Sequence, residues 1–61
     1  MKWTVDRMFD FLWAIEVLED AINVMEAIHG VKEKTAKDLL YWWTGYNDFD
    51  AAQEEYDVYD F

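Results

Sequence analysis

The side chains in this sequence that could take part in chemistry are almost all carboxylates. The 61 residues include fourteen Asp and Glu, a single His and no Cys or Ser. Paired carboxylates can act as general acid and base, but such catalysis needs a cleft that encloses a substrate. Nucleophilic catalysis lacks candidate residues, because the chain has no Cys or Ser and its single His lies beside a glycine that marks a helix end. We therefore expect a protein that is not an enzyme.

One short motif has a spacing suited to metal binding. Glu26 and His29 lie three residues apart, which places both side chains on one helix face, as in carboxylate-bridged di-metal bundles. A complete site needs two more Glu residues and a second copy of the motif, and only a symmetric dimer would supply them. Asp48 and Asp50 resemble the start of a calcium loop, but the loop glycine is missing and Ala52 replaces the third ligand. We expect no bound metal and no cofactor.

The carboxylates recur at helical spacing along the chain. Within the segments predicted to be helical, the pairs three or four residues apart are Asp6/Asp10, Glu16/Asp20, Asp50/Glu54, Glu16/Glu19 and Glu54/Asp57. Like charges at these spacings destabilise a helix by about 0.2–0.5 kcal/mol, so five pairs cost roughly 1–2.5 kcal/mol. That is a large cost for a domain with a total stability of about 5 kcal/mol. A cost without local compensation favours a role for the negative field itself, which attracts basic partners.

The charge of the whole chain indicates what kind of partner this is. The net charge is −9, and the commonest large basic surfaces in a cell belong to nucleic-acid-binding proteins. Direct binding of nucleic acid is not expected, because the carboxylates would repel the phosphates. We predict that the basic partner contacts seven acidic residues: Asp6, Asp10, Glu16, Asp20, Asp50, Glu54 and Asp57. The competing interpretation is that these acids only keep a small protein soluble.

Aromatic residues are unusually frequent for so small an interior. The chain has four Trp, four Tyr and four Phe, together 20% of its residues. Aromatic side chains that a monomer cannot enclose are typical interface anchors. Residues 8–15 are apolar on nearly every side of a predicted helix. Either the last predicted helix returns to cover this second side, or a partner does. We expect Phe9, Leu12, Trp13 and Trp42 at an interface with a partner or with a second copy of the chain.

Three helices are predicted to position these side chains. There is no Pro, and Gly30 and Gly45 each follow a periodic segment, which is typical of helix ends. The predicted helices span residues 4–29, 35–44 and 48–59, with Thr4 as the N-cap of the first. The buried stripe of the first helix is predicted to contain Trp3, Phe11, Ala14, Ile15, Leu18, Ala21, Ile22, Met25 and Ile28. In the last helix, the buried side is predicted to contain Phe49, Ala52, Tyr56 and Tyr59.

These patterns predict an all-α fold and a single small acidic helical domain over residues 1–61. The long first helix would measure about 39 Å, with the two short helices packed on it. No apolar run approaches the roughly 20 residues of a membrane span. The start of the chain lacks the apolar region of a signal peptide. We expect a soluble, cytoplasmic protein.

The leading functional hypothesis is a small acidic protein that blocks a basic, nucleic-acid-binding protein by mimicking nucleic acid. In size and composition alone, the chain is analogous to the inhibitors of host defence that phages and mobile elements encode, including anti-CRISPR proteins. The alternative is a homodimeric helical assembly module, in which the aromatic surplus forms the dimer seam. Salt distinguishes the two, because screening weakens a complex held by charge but not an apolar seam.

Overall fold

The computed structural model describes residues 2–61 as four α-helices. They are α1 (Val5–Ala14), α2 (Glu19–His29), α3 (Glu33–Thr44) and α4 (Phe49–Tyr56). The predicted all-α class is confirmed, and no strand occurs between residues 2 and 61. The two short predicted helices correspond to α3 and α4 within three residues at each end. Met1, which belongs to the predicted domain, lies outside the described residues.

The predicted long helix over residues 4–29 is wrong, because the chain turns between α1 and α2. Glu16 adopts a left-handed conformation with φ of 63°. Its N–H bonds the carbonyl of Trp13, and the N–H of Val17 bonds the carbonyl of Leu12, both at 3.1 Å. This pair of bonds is a Schellman motif, which ends a helix and is usually accompanied by an apolar contact between its two ends. Val17 and Leu12 are both buried, in agreement with that rule.

Compactness explains why the turn forms where the sequence has no glycine. A continuous helix of about 26 residues would be about 39 Å long. The longest dimension of the folded chain is 29 Å. A left-handed conformation costs a non-glycine residue about 1–2 kcal/mol. The turn offsets that cost by burying Ile15 and Val17 and by returning α2 to pack against α3.

The core lies around α3, which packs against each of the other three helices. Its buried residues are Thr35, Ala36, Leu39 and Leu40. The remaining helices and the turn contribute Met8, Phe9, Phe11, Leu12, Ile15, Val17, Ile22, Phe49 and Ala52. This arrangement places the apolar residues of both chain halves in one cluster and leaves the carboxylates outside it.

The predicted stripe of the first helix is correct only in part. Phe11, Ile15 and Ile22 are buried as expected. Leu18 is 56% exposed and Ile28 is 69% exposed, so their predicted place in the core is wrong. The stripe assumed a constant rotation of 100° per residue, and the turn at residues 15–18 interrupts that rotation. Ala14, also predicted to be buried, is exposed.

Three of the predicted helix ends agree with the structure, whereas the last helix ends at Tyr56 and not at the predicted residue 59. Thr4 Oγ1 accepts a hydrogen bond from the backbone N–H of Arg7 at 3.2 Å, which confirms Thr4 as the N-cap of α1. Gly30 and Gly45 follow α2 and α3 with φ of 89° and 84°. Of the helices between residues 2 and 61, none is long and apolar enough to cross a membrane.

Candidate functional site

The C-terminal segment, residues 46–61, presents a surface that is entirely acidic among its charged groups. It contains six carboxylates and no Lys, Arg or His. All six are exposed: Asp48, Asp50, Glu54, Glu55, Asp57 and Asp60. We call these six residues the tail carboxylates. Because α4 and the residues after it are folded, these charges have defined positions on the surface.

Apolar side chains on one side of α4 hold this segment against the body of the protein. Phe49 and Ala52 are buried in the core cluster. Gln53 is also buried, and its Nε2 donates to the carbonyl oxygen of Val58 at 2.9 Å. Asp57 caps the helix with φ of 56°, so the chain reverses direction there. The last residues therefore return along the body instead of extending into solvent.

Phe61 fastens the end of this segment to α1 and to the residues before it. Its ring stacks on Trp3 with centroids 6.0 Å apart, and it meets Phe11 edge to face at 5.6 Å. The guanidinium carbon of Arg7 lies 4.5 Å from the centroid of the Phe61 ring, a cation–π distance. Trp3 also packs against Phe49 at 5.1 Å. The aromatic surplus thus includes an internal cluster that joins the two ends of the chain.

A hydrogen bond between side chains links α4 to the residues before α1. Trp3 Nε1 donates to Oδ1 of Asp50 at 2.7 Å. Hydrogen bonds to ionised acceptors are short and roughly twice as strong as neutral ones. Asp50 therefore has a positioning role in the fold as well as an exposed charge.

Most cations of the chain already have partners within it. Lys34 pairs with Asp38 and Lys37 pairs with Glu33, each at 3.0 Å and each within α3. Arg7 is engaged with the Phe61 ring. Between residues 2 and 61, twelve of the fourteen carboxylates form no salt bridge. The negative field of the molecule is therefore largely uncompensated.

The seven acidic residues predicted to bind a partner are all exposed, but they lie in different settings. Asp6 and Asp10 lie on α1, and Asp20 lies in the first turn of α2. Glu16 lies in the turn between these helices, and Asp57 is the left-handed C-cap of α4. Asp50 and Glu54 lie on α4 itself. The acidic ridge predicted on the last helix therefore consists of two helical positions and a cap.

These positions lower the free-energy cost expected from repulsion between neighbouring carboxylates. Only Asp6/Asp10 and Asp50/Glu54 are pairs within one helix, because Glu16 and Asp57 lie outside the helices. Two such pairs cost roughly 0.4–1 kcal/mol, less than half of the value expected from five pairs. A functional role for the negative field is consequently supported by the missing cations and not by helix destabilisation.

The four apolar residues predicted at an interface divide into two groups. Phe9 is 5% exposed and Leu12 is fully buried, so neither offers a surface to a partner. The turn after Ala14 lets the other helices cover this side of α1, which explains the error. Trp13 and Trp42 are exposed, by 42% and 59%. The rings of Trp42 and Trp43 lie against each other with centroids 5.7 Å apart, and Trp43 is half-buried.

The motif of Glu26 and His29 stands near the end of α2. Glu26 is half-buried and His29 is exposed. Within residues 2–61, no group of three or more His, Asp or Glu side chains is positioned to hold a metal ion. The two residues therefore have no further ligand from the described part of the chain.

Sequence reasoning missed an apolar groove between α2 and α3. The groove has a volume of about 360 Å³ and is lined by Ala21, Val24, Met25, Asp38, Leu39 and Trp42. The signal was present in α2, where Ala21, Val24 and Ile28 recur at helical spacing. A continuous first helix places Ala21 and Ile28 in its buried stripe and leaves Val24 outside that stripe, so the pattern of a continuous helix did not indicate this groove. We call this surface the α2–α3 groove.

Comparison of the chain with protein-family models, with curated proteins and with solved structures finds no match. The function must therefore be inferred from two surfaces of the molecule itself, the tail carboxylates and the α2–α3 groove.

Proposed function

We propose that this chain is a small acidic binding protein that occupies the basic surface of a nucleic-acid-binding protein and so blocks it. The observation that carries the proposal is the folded C-terminal segment, whose six carboxylates are all exposed and which contains no cation of its own. A negative surface of this kind attracts a positive one and accelerates their encounter. Basic surfaces of sufficient extent are characteristic of proteins that bind DNA or RNA.

The negative charge of the folded chain is of the same order as that of the nucleic acid that such a partner normally binds. The folded chain is 29 Å long, and B-DNA of that length carries about 17 phosphates. The chain has twelve carboxylates without a salt bridge among residues 2–61. With a net charge of −9, the charge per unit length is about half that of DNA, and the carboxylates are spread over several elements.

The anchoring of the segment also supports a binding role. A flexible acidic tail loses conformational entropy when a partner orders it. Here Phe49 and Phe61 hold the segment on the body before any partner arrives. The tail carboxylates are consequently arranged in advance, which reduces the free-energy cost of binding.

A pair of matched variants tests the proposal. Glu54 and Glu55 are exposed and make no hydrogen bond or salt bridge within the described chain, so changing both to Lys should preserve the fold. Asp50 and Asp57 are kept, because Asp50 accepts from Trp3 and Asp57 has a left-handed conformation. The control changes Glu19 and Glu26 on α2 to Lys, which alters the net charge by the same amount.

The measurement is capture of proteins from a cell extract on the immobilised chain, followed by elution with double-stranded DNA and with salt. We expect the parent and the control to capture a basic protein that DNA displaces. The Glu54→Lys/Glu55→Lys variant should associate at least about tenfold more slowly, because rim charges act mainly on the association rate. Capture that persists in about 0.5 M salt, or that the tail variant retains at full strength, contradicts the proposal.

A further inference from the structure

A second pocket lies between the C-terminal ends of α3 and α4. It has a volume of about 360 Å³ and is lined by Thr44, Tyr46, Glu55 and Tyr56. Thr44 is the last residue of α3, and Glu55 and Tyr56 are the last two residues of α4. The volume is near the lower end of the range for ligand sites, about 300–1,000 Å³. This cavity, which we call the α3–α4 pocket, therefore fits one side chain of a partner and not a large ligand.

Hydrogen bonds of Thr44 hold the wall of the pocket that carries Tyr46. Thr44 Oγ1 donates to the carbonyl oxygen of Leu40 at 2.8 Å and accepts from the backbone N–H of Tyr46 at 3.0 Å. Tyr46 is also half-buried and packs against the core cluster. On the other wall, Tyr56 belongs to the folded helix α4. Both walls are therefore formed before a ligand enters, which reduces the entropy lost on binding.

The electrostatics of the pocket favour a positively charged ligand. Glu55 is exposed and forms no salt bridge within residues 2–61. The C-terminal end of a helix carries about half a negative charge, and two such ends meet here. Neither α3 nor α4 has a basic residue in its last turn. Because residues 38–61 contain no Lys, Arg or His, this part of the chain has no cation of its own to occupy the site.

The two tyrosines distinguish between possible cations. Tyr56 is 39% exposed, so part of its side chain is open to a ligand, and Tyr46 lines the same pocket. Aromatic rings attract cations over their faces, and arginine makes this contact more often than lysine. A planar guanidinium can stack on a ring while two of its N–H groups bond one carboxylate. The ammonium of lysine is compact and strongly hydrated, so it gains less from such a site.

We propose that the α3–α4 pocket receives an arginine side chain from the basic protein that this chain binds. Glu55 accepts hydrogen bonds from the guanidinium, and the rings of Tyr46 and Tyr56 contact it. The inference rests on the proposed blocking function for the source of the arginine. Arginines of DNA-binding proteins contact phosphates and base edges, so an arginine held in the pocket is withdrawn from nucleic acid. The tail carboxylates attract the partner, and the pocket anchors it, as arginines commonly do at interfaces.

Titration of the isotope-labelled chain with Nα-acetyl-arginine methylamide, followed by NMR in about 150 mM salt, tests the site directly. The amide signals of residues 44–46 and 55–56 should shift and saturate, with a Kd of about 1–10 mM. Nα-acetyl-lysine methylamide should bind at least about threefold more weakly. Shifts that do not saturate, or that appear equally at carboxylates throughout the chain, overturn the proposal. Equal affinity for the two probes also overturns it, because the site then recognises charge alone.

Matched substitutions locate the contact. Glu55→Gln keeps the size of the side chain and removes its charge, so the Kd of the arginine probe should rise at least about fivefold. Glu19→Gln is the control, because Glu19 is exposed, forms no salt bridge within residues 2–61 and lies outside the pocket. Tyr56→Leu should raise the Kd at least about threefold, whereas Tyr56→Phe, which keeps the ring, should recover most of the affinity. Equal losses in Glu55→Gln and Glu19→Gln contradict the proposal.

Capture from a cell extract separates this proposal from the blocking function. If DNA displaces the captured protein but Glu55→Gln and Glu54→Gln weaken its capture equally, the pocket proposal fails and the blocking function stands. If the arginine probe saturates the pocket but DNA displaces no captured protein, the blocking function fails and only the guanidinium site remains.

Discussion

Replacing Phe61 with Ala should destabilise the whole domain, although Phe61 is the last residue of the chain. Its ring contacts Trp3 and Phe11, and the guanidinium of Arg7 lies over it. Each aromatic pair contributes about 0.5–1.5 kcal/mol beyond the area it buries. The cation–π contact adds about 0.5–1 kcal/mol. Because Phe61 is half-buried, its truncation should cost less than the 3–5 kcal/mol of a fully buried Phe.

These contributions predict a loss of about 2–3 kcal/mol in the free energy of unfolding. The total stability of so small a domain is about 5 kcal/mol. The melting temperature should consequently fall by at least about 8 °C. Circular dichroism at helical wavelengths during thermal and urea unfolding measures both quantities.

Tyr59→Ala is the matched control in the same segment. Tyr59 is 58% exposed, so its truncation should change the stability by no more than about 0.5 kcal/mol. The sequence pattern had assigned Tyr59 to the buried side of the last helix, and the structure contradicts that assignment. If Phe61→Ala melts at the same temperature as the parent, or if Tyr59→Ala lowers the melting temperature more than Phe61→Ala does, the aromatic cluster does not hold the tail. A double-mutant cycle with Arg7→Met isolates the cation–π contribution, expected at about 0.5–1 kcal/mol.

Two further predictions concern the turn and the helix ends. Leu18→Ala should lower the free energy of unfolding by less than about 1 kcal/mol, because Leu18 is exposed. Ile22→Ala, in the core, should lower it by about 2–5 kcal/mol. Equal urea midpoints for the two variants would instead support a continuous first helix. Gly45→Asn should be tolerated, because Gly45 has a left-handed backbone conformation that Asn also adopts. Gly30→Asn should lower the free energy of unfolding by about 1–3 kcal/mol, because φ of 89° with ψ of 164° is a conformation restricted to glycine. Neither glycine has an atom within 4 Å of an added Cβ, so a large loss at Gly45 would refute the backbone argument.

Much of the candidate site could be predicted from residue types alone. The excess of carboxylates and the lack of cations after residue 45 are properties of composition, and all seven predicted acids are exposed. Charged side chains remain in water unless a partner is buried with them, so their exposure does not depend on the details of packing. The helix ends at Thr4, Gly30 and Gly45 were also predictable, because each depends on local backbone chemistry.

The apolar residues could not be assigned in the same way. Phe9 and Leu12 were expected at an interface, and Leu18, Tyr56 and Tyr59 were expected to be buried; the structure reverses all five. Periodicity indicates which residues share a face of a helix, but it does not say which face another element covers. In a chain with twelve aromatic residues, several faces are apolar enough to be the buried one.

The sequence by itself determined the all-α class, the sites of the glycine helix ends and the acidity of the C-terminal segment, because these follow from local propensity and charge. The tertiary structure alone decided that the chain turns at Glu16, where no glycine marks the turn. The reason is physical: left-handed backbone at Glu16 is unfavourable locally and becomes favourable only when Val17 is buried and α2 packs on α3. That turn places Phe9 and Leu12 inside and exposes the α2–α3 groove.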